Sequence, residues 1–400
     1  MKKILFISTL YYPYHVGGAE ISTQILAEKL AEKKEKYSVS VLTYDRHNSI
    51  AKFNGVKIIR HNFSNNTSNT SPIINDNNFE AIVLLKKAIG KINDIFLSKH
   101  KKEFYNSFLK KYDLVITSGN CSKMGIRDLW RCSAYLNIPL VHIIRDSFLL
   151  YPIKQHPSKI PLLDNLFRYL MLKDTNKVKY FVSPSIRILQ NHFKYGLKQE
   201  NYYVIPNTVD DQLCNELQFK EKQNNVLYVG RIDHNKGCHT LIKAFLKLAE
   251  QHKDYKLLLI GKKVDVEIPE HKQIEVLGHK PIKDVYQYLS KSKLVVLPSE
   301  WEEAFGRVIV EAVFNHTISI GSDSGGIPGI FENDNRFIFQ KGNVEELYGK
   351  MAYYMSLDEK HYDFFLNYLL NKFKKYRLKE HINIWDNYIN QILEREKAGK

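Results

Sequence analysis

The residues of this 400-residue chain best suited to chemistry are two acids and two bases placed soon after apolar runs. Glu303 and Glu311 lie eight positions apart in Pro298-Ser299-Glu300-Trp301-Glu302-Glu303-Ala304-Phe305-Gly306-Arg307-Val308-Ile309-Val310-Glu311. The apolar run Leu294 to Leu297 precedes this stretch, and Val308, Ile309, Val310, Ala312 and Val313 continue it, so the order reads strand, loop, buried helix. One carboxylate is then expected in the loop at the helix N-terminus and the other about two turns along, both within reach of one ligand. Phe305 and Gly306 fall where a helix start offers unpaired backbone N–H groups, and the glycine removes the side chain that would hold an anion off. That geometry suits a phosphate. The competing reading makes Glu302 and Glu303 ordinary first-turn acids favoured by the helix dipole. Arg231 and Lys236 follow the run Val226 to Gly230 and bracket a loop closed by Gly237. A guanidinium and an ammonium there could neutralise a departing diphosphate, although such a loop taken alone is usually just solvated.

The elements that must hold these groups repeat. Ile4 to Ile7, Val39 to Thr43, Val56 to Ile59, Leu114 to Thr117, Leu140 to Ile144 and Phe181 to Ser183 read as buried strands, most separated by enough chain for crossover helices. Ile21, Ile25 and Leu30 mark a helix after a long loop, Tyr11 to Glu20, which closes on Gly17-Gly18 and offers a second place for close ligand approach. It is not the dinucleotide fingerprint. Near Tyr202 to Asp210 the pattern restarts, and the polar segment Lys220 to Asn225 suggests that the link between halves lies there or just before. Val226 to Gly230, Lys256 to Ile260, Ile274 to Leu277 and Leu294 to Leu297 then build a second sheet. The expected class is α/β, with two doubly wound, mostly parallel sheets and a ligand cleft at the carboxyl ends of their strands.

Composition narrows the partners. With 44% apolar residues the chain can bury two cores, and it holds no run apolar enough to span a bilayer. The N-terminus turns polar too soon for a signal peptide, so a cytoplasmic protein is expected. Cys121, Cys132, Cys214 and Cys238 lack Cys-x-x-Cys spacing and read as buried thiols. The formal charge of +16 attracts polyanions, yet no recognised nucleic-acid-binding motif is present. His61 to Asn78 is rich in Asn, Ser and Thr and reads as an exposed loop. Ile82, Leu85, Ile89, Ile92 and Phe96 follow helical spacing beside Lys86, Lys87 and Lys91, with Lys99, Lys101, Lys102, Lys110 and Lys111 extending the charge. This is either a helix packed on its own sheet or a contact with an anionic membrane. Trp385, Tyr388, Ile389, Ile392 and Leu393 mark a terminal amphipathic helix.

Gly17-Gly18-Ala19-Glu20, Val204-Ile205-Pro206-Asn207, Val229-Gly230-Arg231-x4-Lys236-Gly237, Glu303-x7-Glu311 and Gly325-Gly326-Ile327-Pro328 resemble, in order and spacing, the motifs of group-one, family-four glycosyltransferases of the GT-B fold. The resemblance covers nearly the whole chain. It implies a Rossmann-like N-terminal acceptor-side domain over 1–205, a Rossmann-like nucleotide-sugar-binding domain over 206–379, and a terminal helix, about 380–398, packed back on the first. It further implies retaining transfer from a nucleotide-diphosphate sugar, expected to be a UDP-sugar, while the basic surface and the Ile82 to Phe96 stripe suggest a glycan or polyprenyl-linked acceptor in bacterial surface polysaccharide synthesis. Carried over by position, Arg231 and Lys236 bind the diphosphate and Glu303 the transferred sugar. Backbone around Phe305, Gly306 and Val308 cradles sugar and phosphate, Glu311 accepts from the ribose hydroxyls, and Gly278 and His279 lie near the base. Gly230 belongs to the same donor set, and Gly17 and Gly18 approach from the other domain.

Three departures from the pattern stand out, the last of them a pair of positions. Arg145 stands where His is common, although Asp146, the fourth expected catalytic residue, is retained; Gly329 replaces a Glu; His316 and Ile318 replace Gly and Pro. Front-face attack, with the leaving diphosphate taking the proton, asks the protein for charge stabilisation and orientation. With no Asp-x-Asp motif and a basic pair in hand, neither metal nor cofactor is expected. A catalytically silent sugar-nucleotide-binding subunit and a nucleotide-sugar epimerase on the same fold are the alternatives.

Overall fold

The computed structural model describes residues 1–14, 18–63, 99–119, 121–151, 161–198, 200–211 and 221–399. The chain divides into two units, the first comprising Met1–Ser183, Leu189–Ile205 and Ile382–Lys400, the second Pro184–Ile188 and Pro206–His381.

In the first unit every expected apolar run is a strand: β1 (Lys2–Ser8), β2 (Tyr37–Tyr44), β4 (Val56–His61), β5 (Leu114–Ser118), β6 (Leu140–Ile143) and β7 (Tyr180–Ser183). Two strands escape the pattern, β3 (Ser49–Phe53) and β8 (Tyr202–Val204), and the sheet order is β3-β4-β2-β1-β5-β6-β7-β8. β3 pairs antiparallel with β4 while the remaining pairs are parallel. The hairpin turns on Asn54 and Gly55, both at positive φ (45° and 81°), the Asn-Gly pair that a two-residue turn demands. Helix α1 (Gly18–Glu32) follows β1 and buries Leu26, Ala27 and Leu30.

The second unit has six strands, β9 (Gln223–Val229), β10 (Lys256–Ile260), β11 (Ile274–Gly278), β12 (Ser292–Leu297), β13 (Ile318–Ser322) and β14 (Ile338–Phe339), ordered β11-β10-β9-β12-β13-β14. All pairs are parallel. The central strands are covered on both faces, which is why they read as unbroken apolar runs, while edge strand β11 leaves Glu275 and Val276 exposed.

Three sequence expectations need correction. Lys220 to Asn225 is not wholly a link, because β9 already begins at Gln223; polar residues open the strand, and Asn225 Nδ2 donates to Gln223 Oε1 at 2.9 Å. The terminal helix spans Leu378–Ala398, and its residues from Ile382 onward belong to the first unit. Lys101, expected to extend a basic surface, is buried, its stem lying where a side chain on Gly125 would sit. Glu311 is not two turns into its helix, for the reason given with the site below. The Ile82 to Phe96 stripe, most of the Asn-rich segment, and Cys214 lie outside the described residues. Cys121, Cys132 and Cys238 are free and buried. No described helix is long and apolar enough to cross a membrane.

The terminal helix, whose Trp385 and Ile389 are buried, is held to the first unit by charge. Asp386 meets Lys33 at 2.9 Å, Lys36 at 2.7 Å and the Tyr37 hydroxyl at 2.6 Å. Burial alone would raise the Asp386 pKa, but these donors hold it down to about 2.

Lys222, just before β9, places its ammonium 2.8 Å from the Ser290 carbonyl and 2.6 Å from Thr317 Oγ1, and among the described residues no carboxylate pairs with it. Burial pushes its pKa down to about 7. Between there and the ordinary lysine value the unfolded chain binds more protons than the folded one, so folding stability rises with pH across that window and is flat below it. Lys222→Met should remove up to about 1.4 kcal/mol per pH unit of that slope. Denaturant melts from pH 7 to 10 would show it; identical slopes in both proteins would mean that Lys222 stays charged.

Candidate active site

β12 delivers the chain to a loop, 298–306, and the loop to helix α2 (Arg307–Phe314). Two neighbouring turns fix the loop through its backbone. The Asn235 carbonyl accepts from the N–H groups of Glu300 and Trp301, both at 2.9 Å, and Gly237 lies so near that a Cβ on it would fall 1.9 Å from the Pro298 carbonyl oxygen. From the other side the Gly326 N–H donates to the Glu303 carbonyl at 2.7 Å, and a Cβ on Gly325 would stand 2.2 Å from the same oxygen. Glycine is required at both positions, since φ is also positive at Gly237 and Gly325. Ser322 and Ser324 hydroxyls donate to the carbonyls of Ser299 and Trp301, each at 2.5 Å.

These contacts bring Lys236 and Glu303 together. The Lys236 ammonium pairs with Glu303 Oε1, and Ser299 Oγ donates to the same oxygen at 3.0 Å. The two side chains are 22% and 17% exposed, so the pair is shielded yet open enough for a ligand to enter. Asp233 organises the other base: one carboxylate oxygen accepts the Lys236 N–H at 2.8 Å, and the other stands 3.1 Å from the Arg231 guanidinium. Asp233 is buried whereas Arg231 is 64% exposed, leaving the guanidinium available to an incoming anion.

Gly306, at φ 99°, caps α2, so the helix begins only at Arg307 and Glu311 stands about one turn in. A side chain on Gly306 would press within 2.9 Å of Leu297 Cδ2. Glu311 Oε1 accepts from Arg307 Nη2 at 2.9 Å, with both side chains nearly buried. Phe305 is a core residue packed edge-on to Tyr376, and Val308 is buried, so only their backbones could serve a ligand. Gly230 donates its N–H to Ile260 at the end of β9. Gly278, at φ 69°, closes β11 with open space around it, and His279 beside it is exposed.

In the first unit Asp146 follows β6. Burial pushes its pKa up to about 6; the Phe148 N–H, which donates at 2.9 Å, and Arg145 draw it down, while the Glu20 charge adds to the rise. Arg145 is buried with Nε on Ser118 Oγ at 2.8 Å, so the arginine at the customary histidine position is committed to the wall. Gly18 opens α1, and Gly17 lies outside the described residues. His316 holds φ 59°, a backbone that suits the glycine it replaces, and Gly329 has open space at its Cβ.

Arg231, Lys236, Glu303, Glu311, Gly306, Gly278 and His279 thus belong to one unit and Asp146 and Gly18 to the other. Sequence reasoning missed Asp233, Ser299 and Arg307. Asp233 was legible as an Asp three residues before Lys236 in a turn, where its carboxylate can accept a backbone N–H. Arg307 was legible as the helical i−4 neighbour of Glu311. Among the described residues no group of three or more His, Cys, Asp or Glu is placed to hold a metal ion.

Comparison with known proteins bears on this arrangement. Residues 210–365 match the family described as glycosyl transferases group 1, and residues 16–213 match glycosyltransferase family 4. An uncharacterized 42.6 kDa protein in the cps region of Klebsiella pneumoniae is 30% identical, over 81% of this chain and 86% of its own length. A lipopolysaccharide 1,2-N-acetylglucosaminetransferase of Salmonella typhimurium is 28% identical over 29% of this chain and 35% of its length. Among solved structures, Anabaena HepE in complex with UDP and glucose superposes with a TM-score of 0.67 at 18% identity, covering 98% of this chain and all of the other. A sucrose-phosphate synthase from Thermosynechococcus elongatus gives 0.68 at 16% identity, covering 99% of this chain and all of its own.

Proposed function

The chain belongs to the group 1 and family 4 glycosyltransferases of the GT-B fold, and from that premise we propose that it moves one sugar, with retention, from a UDP-sugar to a lipid-linked or glycan acceptor of a bacterial surface polysaccharide. The observation that carries the donor half is the Lys236–Glu303 pair beside the start of α2. Before donor arrives, the cation and the carboxylate neutralise one another. A nucleotide-diphosphate sugar presents the partner each lacks: diphosphate oxygens for Lys236 and Arg231, sugar hydroxyls for Glu303, and helix-start N–H groups for the phosphate nearest Gly306. The helix dipole and two cations then stabilise the diphosphate as it departs, while its own oxygen takes the acceptor proton. Asp146 serves the acceptor side as a carboxyl that changes charge near pH 6. The acceptor half rests on the +16 charge, which favours anionic glycolipid and membrane surfaces, and on relatives named for a cps region and for lipopolysaccharide.

The donor is found by melting the protein with UDP-, GDP- and ADP-sugars, because a ligand at about 100 times its Kd adds roughly 2.7 kcal/mol. The UDP series should give the largest shift, unchanged by EDTA, since Lys236 and Arg231 supply the positive charge that a metal would bring. A larger shift with a GDP- or ADP-sugar would replace the donor assignment, and a shift that EDTA abolishes would make the site metal-dependent.

A further inference from the structure

The ion pair inside α2 runs against the helix that carries it. Arg307 occupies the first helical position, where the dipole disfavours a cation, and Glu311 lies toward the end that disfavours an anion. The order Arg then Glu at i, i+4 is also the weaker of the two orientations for such a pair. Both side chains are nearly buried, 11% and 10% exposed, and burying a pair adds little net stability. The placement runs against local helix rules, and such exceptions gather at functional sites.

We propose that Arg307 is the positioning residue of the nucleotide's ribose contact and the source of selectivity for ribonucleotide over 2′-deoxyribonucleotide donors. The proposal rests on the reading that Glu311 faces the ribose. Arg307 Nη2 holds Glu311 Oε1 at 2.9 Å, and Oε2 takes no hydrogen bond from any described residue. A carboxylate fixed at one oxygen presents the other at a set position, where it accepts from vicinal hydroxyls. Without that restraint it would rotate and satisfy itself with water, and a sugar lacking the 2′-hydroxyl would lose little. The guanidinium also makes the carboxylate tolerable beside a diphosphate, because the pair enters the site with no net charge.

The test measures Kd for whichever of UDP, GDP and ADP binds tightest and for its 2′-deoxy form, with turnover at saturating donor. Wild type should favour the ribonucleotide by at least about tenfold, the range expected when a built acceptor loses its donor hydroxyl. Arg307→Met should weaken ribonucleotide binding about tenfold, bring the ribo/deoxy ratio close to one, and leave saturated turnover within about threefold. Arg307→Lys should recover part of the ratio. Because Arg307→Met leaves a carboxylate without its partner, Arg307→Met/Glu311→Gln guards against misfolding, and it should bind no more weakly than Glu311→Gln alone. If Arg307→Met keeps the ratio while Glu311→Gln loses it, the ribose reading stands and the role of Arg307 is wrong. If Glu311→Gln also keeps it, or wild type shows no preference, both fall.

Discussion

Glu303→Gln should lower turnover about a thousandfold, the upper range for losing one preorganised electrostatic contact at a reacting centre, while leaving the fold intact. The amide keeps the size of the carboxylate and an oxygen that can still accept from the Lys236 ammonium and from Ser299 Oγ. It loses the negative charge. Charge-assisted hydrogen bonds are roughly twice as strong as neutral ones, and positive charge develops on the transferred sugar as its bond to the diphosphate opens. The loss therefore falls on turnover more than on donor binding. Steady-state kinetics with a melt on the same sample decides it: a variant turning over within about threefold of wild type would remove Glu303 from the chemistry.

Lys236→Ala and Arg231→Ala should each slow transfer at least about a hundredfold, by removing one of the two cations proposed to meet the leaving diphosphate. Their effects on stability should differ, which separates a ligand role from a structural one. Lys236 is shielded and paired, so its loss strands the Glu303 carboxylate and should lower the melting temperature. Arg231 is 64% exposed, so water screens its charge, and the buried Asp233 it would leave keeps the Lys236 N–H; Arg231→Ala should therefore melt closer to wild type than Lys236→Ala while still failing in transfer. Adding Glu303→Gln to Lys236→Ala should restore the melting temperature without restoring turnover. Full activity in Arg231→Ala would leave that guanidinium a surface group.

Much of this was legible from residue order. Covered parallel strands announce themselves as apolar runs, and each such run from Ile4 to Leu297 became a strand. The hairpin strand Ser49–Phe53 was overlooked because four of its five residues are exposed and it carries no apolar run, although Asn54-Gly55 marked its turn. β13 was passed over because Ser319, Gly321 and Ser322 interrupt its apolar residues; Ser319 and Ser322 hide their hydroxyls on the carbonyls of Ile309 and Ser299. In the site, the types and spacing of Glu303, Glu311, Arg231 and Lys236 pointed to anion chemistry. Their pairing did not follow from spacing, since Lys236 meets Glu303 across 67 positions through two glycine contacts that only the folded backbone reveals. The attachment of Pro184–Ile188 to the second unit has no counterpart in any sequence pattern.

The most direct test of the central claim is proton NMR of the sugar's anomeric centre, followed while the purified protein acts on its preferred nucleotide-diphosphate sugar in the presence of glycolipid from a polysaccharide-producing cell. The account predicts that the donor signal decays, nucleoside diphosphate accumulates, and a new anomeric signal of the same configuration grows on the glycolipid, with none of this in Glu303→Gln. A product of inverted configuration, or a donor converted to another nucleotide sugar with no acceptor labelled, would contradict it.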